Sequence, residues 1–196
     1  VLDVGCGTGL YLLPLADALE QGVGIDISPA MVECARRNAA VACPAADLRF
    51  EVLASHDLAP AVHGRFDLVF FYGSLEHIGE QGRAVEQAVA LLRPEGLLVV
   101  VMLHPLHPRG LLARSGARRG ASPPLRLFAP CRLREWAARC GLTELPIRLD
   151  GPAGLGGARR RFRLCWVAAA ALMPAVLGNR VLVFRNPAGR TAFSST

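Results

Sequence analysis

The first ten residues, Val1-Leu2-Asp3-Val4-Gly5-Cys6-Gly7-Thr8-Gly9-Leu10, constrain this chain more than any other stretch. An apolar run carrying one acidic residue feeds a loop with glycine at every second position. An apolar stretch about as long as a helix follows. The pattern predicts a strand, a tight turn and a helix start. Glycine suits such a loop because the chain turns sharply there and because a backbone without Cβ can be approached closely. The N–H groups of a helix start then favour a polar or anionic ligand. An ordinary turn can also carry three spaced glycines, so the argument depends on what stands at later strand ends.

Those ends follow a regular plan. Leu10 to Leu19 reads as a helix blemished by Pro14, which removes a donor and crowds the carbonyl of Leu10. Val23–Ile27 is a short strand that ends at Asp26, and Ser28-Pro29 then supplies an N-cap and a first-turn proline for a helix reaching Ala42. Leu48–Leu53 alternates apolar and charged residues as a strand does, and 54–57 is a loop at its end. Phe66–Tyr72 and Leu97–Leu103 are almost wholly apolar, as expected of strands inside a parallel sheet. Between them lies an amphipathic helix from Gly82 to Arg93, stopped by Arg93-Pro94-Glu95-Gly96. Alternating strands and helices predict a doubly wound α/β sheet with helices on both faces. Asp26, the 54–57 loop, Tyr72-Gly73 and His104 then share one crevice beyond the carboxyl ends of the strands.

Beyond 103 the pattern loosens. Prolines surround His104 and His107, and an Arg/Gly/Ser-rich run covers 114–122. Arg132–Cys140 reads as a helix, Glu144–Leu149 and Val181–Arg185 as strands, and Phe162–Leu177 as an apolar helix preceded by Arg159-Arg160-Arg161. That last helix is shorter than the ~20 residues that span a bilayer and contains Pro174. It reads first as a helix packed on the sheet. The alternative is membrane-surface contact through 159–178.

The 196 residues suffice for a single domain, with 1–103 as one half and 104–196 as a variable segment plus the last strands. The chain starts within its first strand and without methionine, so a truncated N-terminus is expected. The net charge of +6 comes with no basic run interleaved with aromatics, which argues against nucleic acid as a partner. Six cysteines without a C-x-x-C pair fit neither a zinc site nor a disulfide framework and point to a reducing, cytoplasmic setting. Oligomeric state is not legible.

Taken together, Asp3-x-Gly5-x-Gly7-x-Gly9, Asp26, Phe66-Asp67-Leu68-Val69, Leu75-Glu76-His77 and Leu92-Arg93-Pro94-Glu95-Gly96 resemble the class I S-adenosylmethionine-dependent methyltransferases. Within them the chain is similar to the small-molecule branch that includes the ubiquinone-biosynthesis methyltransferases (methyltransferase type 11/12). The resemblance covers residues 1 to about 103. It implies a Rossmann-like sheet of about seven strands, mostly parallel with an antiparallel last strand, and S-adenosyl-L-methionine (SAM) as cofactor.

The residue roles below are implied by that resemblance. The Gly5–Gly9 loop, with Cys6 and Gly7, passes under the methionine part, where a Cβ would collide. Asp3 orients this loop or meets the cofactor's ammonium group. Asp26 offers two oxygens to two ribose hydroxyls. Ile27 and Met31 flank the adenine, Ala54 and Ser55 read its edge, and main-chain carbonyls near Phe71 and Tyr72 receive the ammonium group. The chain departs from the family at Ala54, where an acidic residue often stands (Asp57 lies three residues on), and at Gly73, where some relatives carry a glutamate linked to metal. No required metal is expected. His77 and His104 are the candidate bases, each past a strand's carboxyl end.

The implied reaction is O-, C- or N-methylation of a small molecule, with a phenolic or lipid-like acceptor as one candidate. No Asn/Asp-Pro-Pro-Tyr follows the fourth strand, where the chain reads Phe71-Tyr72-Gly73-Ser74. That counts against methylation of nucleic-acid or protein nitrogens. Two alternatives stand beside it: a non-catalytic SAM-binding protein of the same fold, and an NAD(P)-dependent oxidoreductase. The second needs G-x-G-x-x-G, and Leu10 occupies the third glycine's place.

Overall fold

The computed structural model describes residues 1–103, 125–146 and 179–187. They form a seven-stranded sheet: β1 (Leu2–Val4), β2 (Gly22–Asp26), β3 (Leu48–Val52), β4 (Phe66–Tyr72), β5 (Leu92–Leu103), β6 (Thr143–Leu145) and β7 (Asn179–Arg185). The spatial order is β3-β2-β1-β4-β5-β7-β6. Strands β1 to β5 pair in parallel, and β7 runs antiparallel to both β5 and β6. The expected architecture is present, antiparallel last strand included.

Helices α1 (Pro29–Ala42), α2 (Pro60–His63), α3 (Gln81–Ala90) and α4 (Pro130–Arg139) connect or flank the strands. Two cores lie on opposite faces. Leu2, Val4, Ile25, Phe71, Leu98 and Val100 pack with Val85 of α3 and Leu133 of α4. Cys6, Leu12, Phe50, Phe70 and Leu97 pack with Val32 and Ala35 of α1. Burying such side chains stabilises by about 1.5–3 kcal/mol each. Alternation along β1 explains the division: Leu2 and Val4 face the first core, and Asp3 faces the other way.

Three local expectations are corrected. Residues 10–19 do not form an α-helix: Leu12 and Leu13 both donate to the Gly9 carbonyl (3.1 and 3.0 Å), and only a 3-10 helix, Leu13–Ala18, follows. Pro14 in its first turn has no N–H to continue an α-helical ladder. The Leu92–Gly96 stretch does not end a helix. α3 stops at Ala90, and β5 begins at Leu92, opposite Phe66, with a register shift before Leu68. Asn186 holds this irregular start, accepting from Glu95 N–H, donating its own N–H to the Gly96 carbonyl and its side-chain amide to that of Arg93 (2.7, 2.9 and 3.0 Å). The sixth strand starts one residue early, at Thr143, and ends at Leu145. The 104–124 segment and the Phe162–Leu177 helix lie outside the described residues. Among those described, no helix is long and apolar enough to cross a membrane.

Candidate functional site

Strand order reverses between β1 and β4: the chain passes from β1 outward to β3, then returns to β4 on the other side. Connections from the two strands leave in opposite directions and open a crevice at their carboxyl ends. The glycine loop lies in it. Gly5 and Cys6 both donate to the Ile25 carbonyl (2.8 and 2.9 Å), and Gly9 donates to that of Cys6 (2.9 Å). These bonds tie the loop to β2 and bring it to Asp26.

Asp26 is the residue that orders the loop. Its Oδ2 accepts from Gly7 N–H at 3.0 Å and its Oδ1 from Ser28 N–H at 2.9 Å. Each oxygen keeps a further lone pair. Ser28 in turn caps α1, its Oγ accepting from Met31 N–H at 3.4 Å. The carboxylate, the loop and the helix start thus form one hydrogen-bonded unit.

The three glycines have separate reasons for being glycine. All have left-handed φ values, 78°, 54° and 82° at Gly5, Gly7 and Gly9. A Cβ on Gly5 would lie 2.4 Å from that of Ser74, and one on Gly9 3.3 Å from the Phe50 ring. The neighbour in each case is the protein itself, and only the contact at Gly5 is a clash. Of the three, only Gly7 has nothing within 4 Å of where a Cβ would stand. Cys6 is corrected likewise. Its side chain is buried in the core beside Phe50, and burial, with Asp3 and Asp26 nearby, pushes its thiol well up. Only its main chain belongs to the loop.

Ile27 and Met31 are large apolar side chains that are 73% and 45% exposed beside Asp26. They present an apolar flank next to its carboxylate. Leu53 N–H donates to the Asp26 carbonyl (3.0 Å), which brings half-buried Ala54 and buried Ser55 to the same rim. Asp57 is exposed, with His56 Nε2 3.8 Å from its Oδ1.

On the β4 side Tyr72 and Phe71 separate. Gly73 N–H donates to the Val101 carbonyl (2.8 Å), so alternation turns the main chain of Phe71 toward β5 and that of Tyr72 toward β1. The Phe71 side chain is fully buried in the core. Tyr72 therefore offers its carbonyl to the crevice, and Phe71 does not. The Tyr72 ring stacks on Tyr11, with centroids 3.6 Å apart and planes 22° apart. Tyr11 escaped the sequence reading because it looked like one more apolar position in an expected helix. Burial, reinforced by the hydrogen bond to Tyr72, raises its phenol above the usual range.

Asp3 is 1% exposed, and neither of its oxygens has a partner among the described residues. It does not hold the glycine loop by a hydrogen bond, contrary to one of its two expected roles. Burial raises its carboxyl well above the usual carboxylate range, and the Asp26 charge adds to this. A raised folded-state pKa favours the protonated form on folding. The resulting stability is fully present below the unfolded-state value and is lost as pH rises through the folded one. Asp3→Asn is therefore expected to raise the melting temperature at neutral pH and to flatten the decline in stability with pH above the ordinary aspartate range. Thermal unfolding across that range checks this; an unchanged profile would place Asp3's proton elsewhere.

Past β4, His77 is exposed at the end of the 3-10 turn Leu75–His77, and His104 lies outside the described residues. Glu76, immediately before His77, is buried. Its Oε1 accepts from Leu103 N–H (2.6 Å), its main-chain carbonyl accepts from Arg126 N–H (2.7 Å), and Gln81 Nε2 bridges the Leu75 and Arg126 carbonyls (3.1 and 2.6 Å). Burial raises its carboxyl too. Among the described residues no group of three or more His, Cys, Asp or Glu side chains could hold a metal ion.

A glycine-lined switch point, a carboxylate ending β2 and an antiparallel β7 beside β5 define a Rossmann-like fold of the methyltransferase type. Residues 1–96 match the family described as "Methyltransferase domain". The first half of the chain is thus similar to methyltransferase domains. It is 31% identical over 149 residues to a ubiquinone biosynthesis O-methyltransferase of Xanthomonas euvesicatoria, covering 72% of this chain and 62% of the relative. It is 34% identical over 104 residues to the protein of that name from Bradyrhizobium diazoefficiens, covering 53% and 40%. The chain thus spans less than two thirds of the length of these relatives. Magnesium protoporphyrin IX methyltransferase from Synechocystis, solved with bound SAM, shares the fold with a TM-score of 0.63 at 18% identity, over 94% of this chain and 68% of the other.

Proposed function

We propose that this chain binds SAM in the switch-point crevice and transfers its methyl group to a small-molecule acceptor. The observation that carries the reading is the unit formed by Gly7, Asp26 and exposed Ile27 and Met31. It combines open space over a glycine, a carboxylate with lone pairs to spare and an apolar flank, as a nucleoside requires. The residues present fit the group. Asp26 would take the ribose hydroxyls, Ile27 and Met31 the adenine face, and Ala54 and Ser55 the adenine edge. The loop main chain at Gly5, Cys6, Gly7 and Gly9, with the Tyr72 carbonyl, would take the amino-acid end, and Asp3 would face its ammonium group.

When bound, SAM supplies a methyl already activated by a sulfonium, so the protein's share is positioning and proton removal. His77, exposed past the carboxyl end of β4, is the candidate to accept a hydroxyl proton, with His104 the second candidate. The ubiquinone-pathway names of the relatives favour a hydroxyl acceptor, phenolic or lipid-like. The segment from 104 onward, within the same single domain, is the part assigned to holding it, and 159–178 would supply any membrane-surface contact.

Calorimetry with SAM and with NAD tests the reading. Saturable heat with SAM and none with NAD is the expected result. Heat with NAD alone would overturn it in favour of an oxidoreductase.

A further inference from the structure

Two tyrosine rings meet at the crevice, and neither ring has a role in the reading above. Tyr11 follows the glycine loop by two residues, Tyr72 ends β4, and their rings stack 3.6 Å apart across the strand end that carries Asp3. Both rings are partly exposed. Alternation puts Asp3 on the same sheet face as Phe70, its register partner, and hence as Tyr72. The Asp3 charge also acts on the Tyr11 phenol. A buried carboxylate and the face of a ring pair thus lie together, and neither oxygen of Asp3 meets a cation among the described residues.

Both elements attract positive charge. A buried carboxyl group without a partner is costly, and the ammonium group that both ligands carry relieves that cost. The face of an aromatic ring carries negative potential and attracts a cation within about 6 Å of its centre. Both rings pack against the second core and stay partly exposed, which leaves ring surface for that purpose. Resting on the functional reading above, we propose that the Tyr11–Tyr72 pair is a specificity-determining face that favours the sulfonium of SAM over the neutral thioether of S-adenosylhomocysteine (SAH). The two molecules share their ammonium, carboxylate, ribose and adenine. They differ by one methyl and one positive charge at sulfur. A face that reads this charge holds the substrate and lets the product go, so the pair would act on product inhibition as well as on substrate affinity.

Titration calorimetry of the full chain with SAM and, separately, with SAH tests this. Tyr11→Leu keeps apolar bulk and removes the ring. It should weaken SAM binding by roughly three- to tenfold while leaving SAH within about twofold, and Tyr11→Phe should retain the wild-type ratio. A purely structural ring pair would not move that ratio. Equal weakening of both ligands by a variant that still unfolds cooperatively overturns the inference alone. Wild-type protein that binds neither ligand overturns the functional reading and this inference with it. Tyr72→Leu provides a second variant, with the same expected shift in ratio, should Tyr11→Leu not fold.

Discussion

Gly5→Ala is expected to destabilise the protein by about 3 kcal/mol, and its neighbour in the motif, Gly7→Ala, by only about 1 kcal/mol. At Gly5 two costs add. The left-handed φ of 78° strains any residue with a Cβ, and that Cβ would sit 2.4 Å from the Cβ of Ser74. Ser74 cannot retreat freely, because its hydroxyl donates to the Val4 carbonyl at the end of β1. At Gly7 only the backbone cost applies, since nothing lies within 4 Å. Urea unfolding should show a lower midpoint at unchanged slope for Gly5→Ala. Calorimetry should show the opposite order of damage for Gly7→Ala: a nearly native fold that has lost most of its SAM affinity. Equal loss of stability in the two variants would mean that the loop's open face has been assigned to the wrong glycine.

Asp26→Ala is expected to weaken SAM binding by about 2 kcal/mol or more, some thirtyfold, without unfolding the chain. Two effects contribute. The ribose hydroxyls lose their acceptors, and Gly7 and Ser28 lose the carboxylate that fixes them. Asp26→Asn should recover little of the loss, because an amide would turn its own N–H₂ toward one of the two N–H donors. Calorimetry measures both variants. Native affinity in either one would place the ribose elsewhere.

Much of this site was legible because strand ends are legible. The carboxylate of Asp26, the N-cap at Ser28 and the apolar run of β4 each announce themselves in a few consecutive residues, and topology then gathers them at one crevice. What was hidden depended on contacts between distant residues. Nothing near Gly5 in sequence reveals that Ser74 blocks its Cβ. Tyr11 gave no sign of its partner because Tyr72 stands on another strand. Phe71 and Tyr72 looked equivalent until the ladder with β5 fixed which carbonyl turns toward β1. The start of β5 was misread for the same reason: pairing with Phe66 and capture by Asn186 override a Pro-Glu-Gly stretch that locally reads as a stop.

Glu76 has a consequence for how such a protein changes over time. Its side chain receives the N–H of Leu103 and its main chain the N–H of Arg126, so it links the end of β5 to the stretch ahead of α4, with Gln81 adding a second tie to Arg126. A flexible segment fixed at both ends loses little stability with added length. Doubling its length adds only about 0.6 kcal/mol of closure entropy. The separation in sequence between Leu103 and Arg126 can therefore change at little cost to the sheet. One buried glutamate thus ties together two parts of the chain that need not keep a fixed distance in sequence.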